Sequence, residues 1–140
     1  MNLLEIRHRV GDMLDGISGV RVFRSVPEAL NASGVTAVVI AAGEPYLTYS
    51  EGAGRTSTHE VRLRLVLIPA QQAGAERVMA ELDDLLGCGP RSIRQAIAAD
   101  ISAGGTVSAI STLSASIRNL TASDLTNVVA ELDIRILARC

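Results

Sequence analysis

The stretch His-Glu-Val-Arg-Leu-Arg-Leu-Val-Leu-Ile-Pro, residues 59–69, alternates charged and apolar side chains with a period of two. Residues 127–138, Asn-Val-Val-Ala-Glu-Leu-Asp-Ile-Arg-Ile-Leu-Ala, show the same alternation. A period of two is typical of a β-strand that has one face in water and one face in the core. We therefore predict that these two stretches are strands of one sheet, adjacent or separated by one strand.

The charged faces of the two strands are complementary. Glu60, Arg62 and Arg64 share one face of the first strand, and Glu131, Asp133 and Arg135 share one face of the second. If the strands pair, Arg62 and Arg64 lie near Glu131 and Asp133, and each cross-strand ion pair contributes roughly 0.2–1 kcal/mol. Leu65 and Ile134, on the apolar faces, are then expected in the core under the helices.

The composition indicates a single globular domain spanning 1–140. Hydrophobic residues make up 48% of the 140 residues, which is enough for one sizeable core. No apolar run approaches the roughly 20 residues of a membrane helix, and the N-terminal residues do not resemble a signal peptide. The net charge of −2 and the lack of a basic block argue against a dedicated nucleic-acid-binding module.

Two cysteines, Cys88 and Cys140, are too few for a disulfide framework and lack metal-ligand spacing. We therefore expect both thiols to be free, in a reducing cytoplasm.

The rest of the chain predicts three helices and three more strands. Helices are expected at 2–15, where Asn2 and Glu5 resemble a capping box, at 73–86, and from the Gly89-Pro90 turn to about residue 100; strands are expected at 20–23, 35–41 and 107–120. The order α-β-β-β-α-α-β-β predicts an α+β fold. We expect a two-layer sandwich in which a mostly antiparallel sheet of four to five strands carries helices on one face.

The segment from Gly43 to Thr58 is predicted to be a long loop, either a contact segment or only a hairpin connection. It holds Tyr46 and Tyr49, followed by a Gly-rich run that contains Glu51 and Arg55. Tyr and Arg are favoured anchors at protein interfaces. We therefore take as candidate contact residues the four named here and the charged residues of the two strands: Tyr46, Tyr49, Glu51, Arg55, Arg62, Arg64, Glu131 and Asp133.

No group of residues in the sequence predicts catalysis. His59 has no second His or Cys close to it in the sequence, and Cys88 lies between two glycines with no histidine nearby. Gly52-Ala53-Gly54-Arg55 lacks the preceding strand and following helix of a phosphate-binding loop. We therefore expect no enzymatic activity and no resident metal or cofactor.

Several features, taken in their order along the chain, resemble the tail terminator proteins of long-tailed bacteriophages. The features are an N-terminal helix, Gly-Val-Arg-Val-Phe at 19–23 before a proline, an apolar strand, a Gly-rich loop after Tyr46, the strand 61–69, Leu-Asp-Asp-Leu-Leu at 82–86, and Ser-Ile-Arg-Gln-Ala-Ile-Ala-Ala-Asp at 92–100 before Gly104-Gly105 and a valine strand. The helix–Gly-Gly–strand passage carries most of the resemblance. The likeness is one of element order and covers most of the chain.

This resemblance implies a structural virion protein of the tail–neck junction, made in the host cytoplasm. Such a protein forms a ring, usually a hexamer, that caps the tail tube, ends its polymerisation and presents a surface to the head. The implied partners are the tail tube protein, the head–tail connector or stopper protein, and passing DNA bound without sequence specificity, which suits an acidic chain.

Two alternatives stay open. One is another neck or head-completion protein of similar size. The other is a cytoplasmic small-ligand or regulatory domain, which an apolar pocket with convergent polar groups would favour.

Overall fold

The computed structural model describes residues 2–27, 34–49, 58–70, 74–100, 105, 107–119 and 128–139. Its elements are α1 (Leu3–Asp15), β1 (Val20–Phe23), β2 (Thr36–Thr48), β3 (Thr58–Ile68), α2 (Ala75–Leu86), α3 (Ile93–Ala98), β4 (Ala109–Asn119) and β5 (Val128–Arg139). The predicted element order and the α+β sandwich are therefore confirmed. Within the described ranges, no helix is both long and apolar enough to cross a membrane.

The five strands form one mixed sheet in the order β1-β2-β3-β5-β4. β1 is parallel to β2, and every other neighbouring pair is antiparallel. β3 and β5 are direct neighbours, and their register sets Leu65 opposite Leu132 and Arg64 opposite Asp133. The prediction that the two alternating strands share a sheet is therefore confirmed, and the two strands are adjacent rather than separated by one strand.

The core lies between the sheet and the three helices. Along β3 the burial alternates strictly, so that Val61, Leu63, Leu65 and Leu67 are buried while their neighbours are half-buried. Leu65 and Ile134 are both 0% exposed, as predicted. Burying a side chain of this size stabilises the fold by roughly 1.5–3 kcal/mol.

α1 and α3 are each preceded by a polar residue whose side chain caps the start of the helix. Asn2 Oδ1 accepts a hydrogen bond from the Glu5 backbone N at 3.1 Å, at the predicted start of α1. Ser92 Oγ accepts one from the Gln95 backbone N at 3.3 Å. The expectation that Gly89-Pro90 opens α3 is therefore wrong, because Ser92 followed by Gln95 is the stronger start signal.

β2 is longer than the sequence predicts, because a bulge carries it past Gly43. The register changes from Ala42 opposite Leu63 to Leu47 opposite Val61, so β2 has extra residues without partners on β3. A Cβ on Gly43 would lie 2.8 Å from the Arg62 Cβ and 2.9 Å from its backbone, so only glycine permits this approach. The prediction of a loop is therefore wrong for residues 43–48, which belong to β2.

β4 lies at the edge of the sheet and is less buried than the sequence suggests. A register shift between Thr112 and Ser114 changes which side chains face the helices. Ile110 is buried, whereas Leu113 is 44% and Ile117 46% exposed. The strand is present as predicted, but its apolar stripe is only partly covered.

Candidate functional site

The sheet face opposite the helices carries a cluster of charged side chains at its centre. We call this the charged face, and it comprises Glu60, Arg62 and Arg64 of β3, Glu131, Asp133 and Arg135 of β5, and Arg118 of β4. These residues point away from the core because they alternate with the buried residues of the same strands. The charged face therefore holds four of the eight candidate contact residues: Arg62, Arg64, Glu131 and Asp133.

At one end of the charged face, Glu60 lies between two arginines. Arg62 Nε is 3.1 Å from Glu60 Oε2, and Arg135 Nε donates to Glu60 Oε1 from the neighbouring strand. Partial desolvation raises the pKa of Glu60, but hydrogen bonds from Arg62 and Arg135 outweigh it, so this pKa lies below its ordinary value. The register sets Arg62 opposite Arg135, and both arginines bind Glu60. Arg62 therefore does not face an acid of β5, contrary to the prediction.

At the other end, Arg64 joins two acids of β5. Arg64 Nε lies 3.1 Å from Asp133 Oδ1, and Arg64 Nη1 lies 3.8 Å from Glu131 Oε2. Arg118 Nε reaches the same Glu131 oxygen at 3.4 Å from β4. The hydrogen bond to Asp133 raises the pKa of Arg64 above its ordinary value, so the guanidinium stays charged.

All seven charges of the charged face are paired within the chain. The four arginines meet three carboxylates, and Glu44 adds a further negative charge that acts on Arg64. Ion pairs at this degree of exposure contribute about 0–1 kcal/mol each, so their main effects are on strand register and surface charge. This group of seven charged residues is therefore strongly polar but close to neutral.

The two candidate tyrosines occupy different surroundings. Tyr46 is half-buried, packs against the core, and its hydroxyl accepts a hydrogen bond from Arg7 Nη2 at 3.2 Å. Tyr49 is 69% exposed and stands edge-on to His59, with 5.5 Å between ring centroids. Tyr49 is thus available for contact, whereas Tyr46 attaches α1 to β2. The other two candidates, Glu51 and Arg55, lie outside the described residues.

A second polar cluster, centred on Arg91, joins four parts of the fold. Arg91 binds both carboxylate oxygens of Glu81, at 2.6 and 2.8 Å, and also Asp84 Oδ2 at 2.9 Å. Its Nε donates to the Ser18 backbone O at 3.0 Å, and Thr36 Oγ1 donates to Glu81 Oε1 at 2.9 Å. Sequence reasoning does not find this cluster, because its members are widely separated and form no motif.

The Arg91 cluster borders a cleft of about 460 Å³. Its walls combine apolar groups such as Val35, Pro69 and Val78 with Thr36, Glu81 and Arg77. Hydrogen bonds from Arg91 lower the pKa of Glu81, against the opposing effect of partial burial. The charges of Arg91 and Glu81 thus compensate each other at the mouth of the cleft.

The described residues contain no group of three or more His, Cys, Asp or Glu that could hold a metal ion. His59 is buried on the helix-facing side of the sheet, and Cys88 is an exposed free thiol. A scan against models of known protein families finds no match, and a search among curated proteins finds no significant relative.

Proposed function

We propose that the chain is a structural virion protein of a long-tailed bacteriophage, which forms a hexameric ring on the end of the tail tube. The ring ends tube polymerisation and joins the tail to the head connector or stopper protein. The element order supports the proposal, because it is the order on which the resemblance to tail terminator proteins rests. Within this account the protein is not an enzyme, and its partners are other virion proteins and passing DNA.

The observation that carries the proposal is the charged face. It is a broad, polar sheet surface with no described helix over it, and each of its four arginines is held by a carboxylate of the same chain, while Arg21 and Arg139 lie on the same side of the sheet outside this cluster. A free arginine binds DNA phosphates strongly, whereas a paired one has less charge to offer. A surface of this kind suits the wall of a channel through which DNA slides.

A capping assay tests the proposed function. Purified chain is added to the polymerising tail tube protein of the same phage, and tube lengths are measured by electron microscopy. We expect growth to stop at the capped end, so that added chain shortens the tubes. Equal tube lengths with and without the chain would reject the proposal.

The segment after Tyr49 supplies a matched variant for the same assay. Replacing residues 50–57 with a short Gly-Ser linker should leave the melting temperature nearly unchanged, because surface connections contribute little to stability. Capping should fail, because the segment is proposed to contact the neighbouring subunit or the tube. A shortened chain that caps normally would show that the segment is only a connection.

The cleft beside Arg91 favours a second candidate, a small-ligand or regulatory domain. The cleft has the size of a small-molecule site and mixes apolar walls with polar groups. Arg91 and Glu81 already satisfy each other there, and Arg77 is the lining residue whose charge has no ion pair among the described residues. A monomer at every concentration, together with a ligand that protects the chain from heat, would favour this candidate.

A further inference from the structure

The sheet has two open edges, and they lie on opposite sides of the subunit. The strand order begins at β1 and ends at β4, and no described residue pairs with the outer side of either strand. Four inter-strand spacings separate the two edges, a distance of roughly 19 Å. A ring built from one kind of head-to-tail contact needs two different surfaces on opposite sides of the subunit, which these edges provide.

Two features that protect an exposed strand from pairing are missing in the middle of β4, although the strand has a bulge near Leu113. Residues 111–117, Ser-Thr-Leu-Ser-Ala-Ser-Ile, contain no charged residue and no proline, and these are the residues that usually prevent an edge strand from pairing. Leu113 and Ile117 are about half exposed there. A groove of about 360 Å³ runs beside Leu113, with Leu85, Leu86 and the exposed Arg94 in its walls. Residues 111–117 are thus uncharged, and Arg94 and Arg118 lie at the margin of this edge.

The β1 edge also carries exposed side chains. α1 packs beside β1, and its half-exposed carboxylates, Asp12 and Asp15, bind Arg24, while the exposed Arg21 lies on β1 itself. Val26, three residues after the end of β1, is 71% exposed. On the β4 side, Arg94 is exposed on α3, and Arg118 is exposed on the charged face, where it lies 3.4 Å from Glu131. Each edge therefore carries an exposed apolar side chain, and Arg94 lies on the same side of the sheet as the carboxylates of Asp12 and Asp15.

The strand directions also fit a closed ring. β1 and β4 run in opposite directions in the sheet, because three antiparallel steps and one parallel step separate them. Rotation about a ring axis along the strands keeps each strand's direction, so β4 of one subunit meets β1 of the next as an antiparallel pair. Antiparallel pairing is the more favourable kind.

We propose that the occupant of the β4 edge is a second copy of this chain, which adds its β1 strand to β4 so that the sheets continue from subunit to subunit. The inference rests on the proposed ring and specifies the contact between its neighbouring subunits. Val26 of the added subunit lies at the groove beside Leu113, and Asp12 and Asp15 at the end of its α1 face Arg94.

Disulfide trapping tests this contact in the full chain. In a Cys88→Ser, Cys140→Ser background, Arg21→Cys is combined in turn with Ser111→Cys, Ser114→Cys or Ser116→Cys. All four positions lie on the sheet face opposite the helices, at three registers along β4. Within one subunit the edges are too far apart for a disulfide, which requires Cα atoms within about 7 Å.

We expect at least one pair to give a ladder of cross-linked species up to the hexamer on mild oxidation. Arg21→Cys with Ala80→Cys, an exposed position on α2, is the matched control and should give none. An equally strong ladder in the control would overturn the contact. Rings seen by native mass spectrometry without a ladder from any pair would overturn the contact but leave the ring. Monomers alone would overturn both.

Discussion

At the scale of single residues, the fold depends on the apolar side chains of β3 and β5 that meet under the helices. Leu65 lies opposite Leu132, and Ile134 lies opposite Leu63, in the middle of the sheet. Neither Leu65 nor Ile134 has any accessible surface. A truncated side chain here leaves a cavity that a central sheet position cannot close by moving.

Leu65→Ala and Ile134→Ala are therefore each expected to lower the free energy of unfolding by roughly 2–5 kcal/mol. Leu113→Ala, on the exposed part of β4, is the control and should cost less than about 1 kcal/mol. Urea denaturation measures all three. Losses under about 0.5 kcal/mol at both core positions would mean that the strands face the other way.

Gly43 is a second position where one residue decides local structure. A methyl group there would lie 2.8–2.9 Å from the Cβ and backbone of Arg62, which cannot swing aside as a side-chain end can. Gly43→Ala should therefore destabilise the protein by more than about 1 kcal/mol.

Gly16 provides the matched comparison for Gly43. It has αR backbone angles, and a methyl group added to it would have no other atom within 4 Å, so Gly16→Ala should stabilise by about 0.4–1 kcal/mol. If the two substitutions had equal effects in thermal melts, the close approach of Gly43 to Arg62 would not explain the loss of stability in Gly43→Ala.

At the scale of elements, the pairing of β3 with β5 rests on side chains on both faces. The charged side of this pair contains one direct cross-strand contact between residues in register, Arg64 with Asp133 at 3.1 Å. Arg62 contacts Glu60 of its own strand instead. The two arginines, although alternate residues on one strand, therefore have different partners.

A double-mutant cycle with Arg64→Ala and Asp133→Ala should give a coupling free energy of about 0.3–1 kcal/mol. The same cycle with Arg62→Ala and Asp133→Ala should give a value near zero. Denaturant unfolding of the single and double variants measures both. A larger coupling for Arg62 than for Arg64 would contradict the register.

The Arg91 cluster joins α2 to the α1–β1 turn and to β2, and it makes stability depend on pH through Glu81. Hydrogen bonds from Arg91 hold the pKa of Glu81 below its ordinary value of 4.5. Because the folded state favours the ionised carboxylate, this contribution is complete above pH 4.5 and is lost as the pH falls through the folded-state pKa.

Glu81→Gln should therefore cost about 1–2 kcal/mol at pH 7, and the difference from wild type should shrink on acidification below pH 4.5. Glu76→Gln, an exposed position on the same helix with no ion pair among the described residues, is the control. Urea melts across this pH range measure the difference. A gap that stays constant with pH would mean that the Arg91–Glu81 contact does not act through charge.

The sequence predicts the elements well wherever one periodicity runs unbroken. The alternation in β3 and β5 suffices to place both strands and their inward residues, whereas it leaves open whether they are adjacent or separated by one strand. Prediction fails where a bulge interrupts the pattern, because the apparent turn Gly43-Glu44-Pro45 lies inside β2, and because the shift near Leu113 reverses the inward phase of β4. The charged face was foreseeable from local pattern, whereas the Arg91 cluster depends on tertiary contacts alone.

At the scale of the whole molecule, the helices cover one face of the sheet, and the described residues leave three surfaces for other proteins or solvent. These are the charged face, whose charges are internally paired, and the two open edges at β1 and β4. Two different edges on opposite sides of the subunit allow head-to-tail contact, which closes into a ring when the rotation per subunit allows it. The polar face would then surround the axis.

Native mass spectrometry of the purified full chain, with negative-stain imaging of the same sample, tests this account most directly. The account predicts a hexamer that images as a ring with a central hole, with its population rising with protein concentration. A single monomeric species over a wide range of concentration, with no ring in the images, would contradict it.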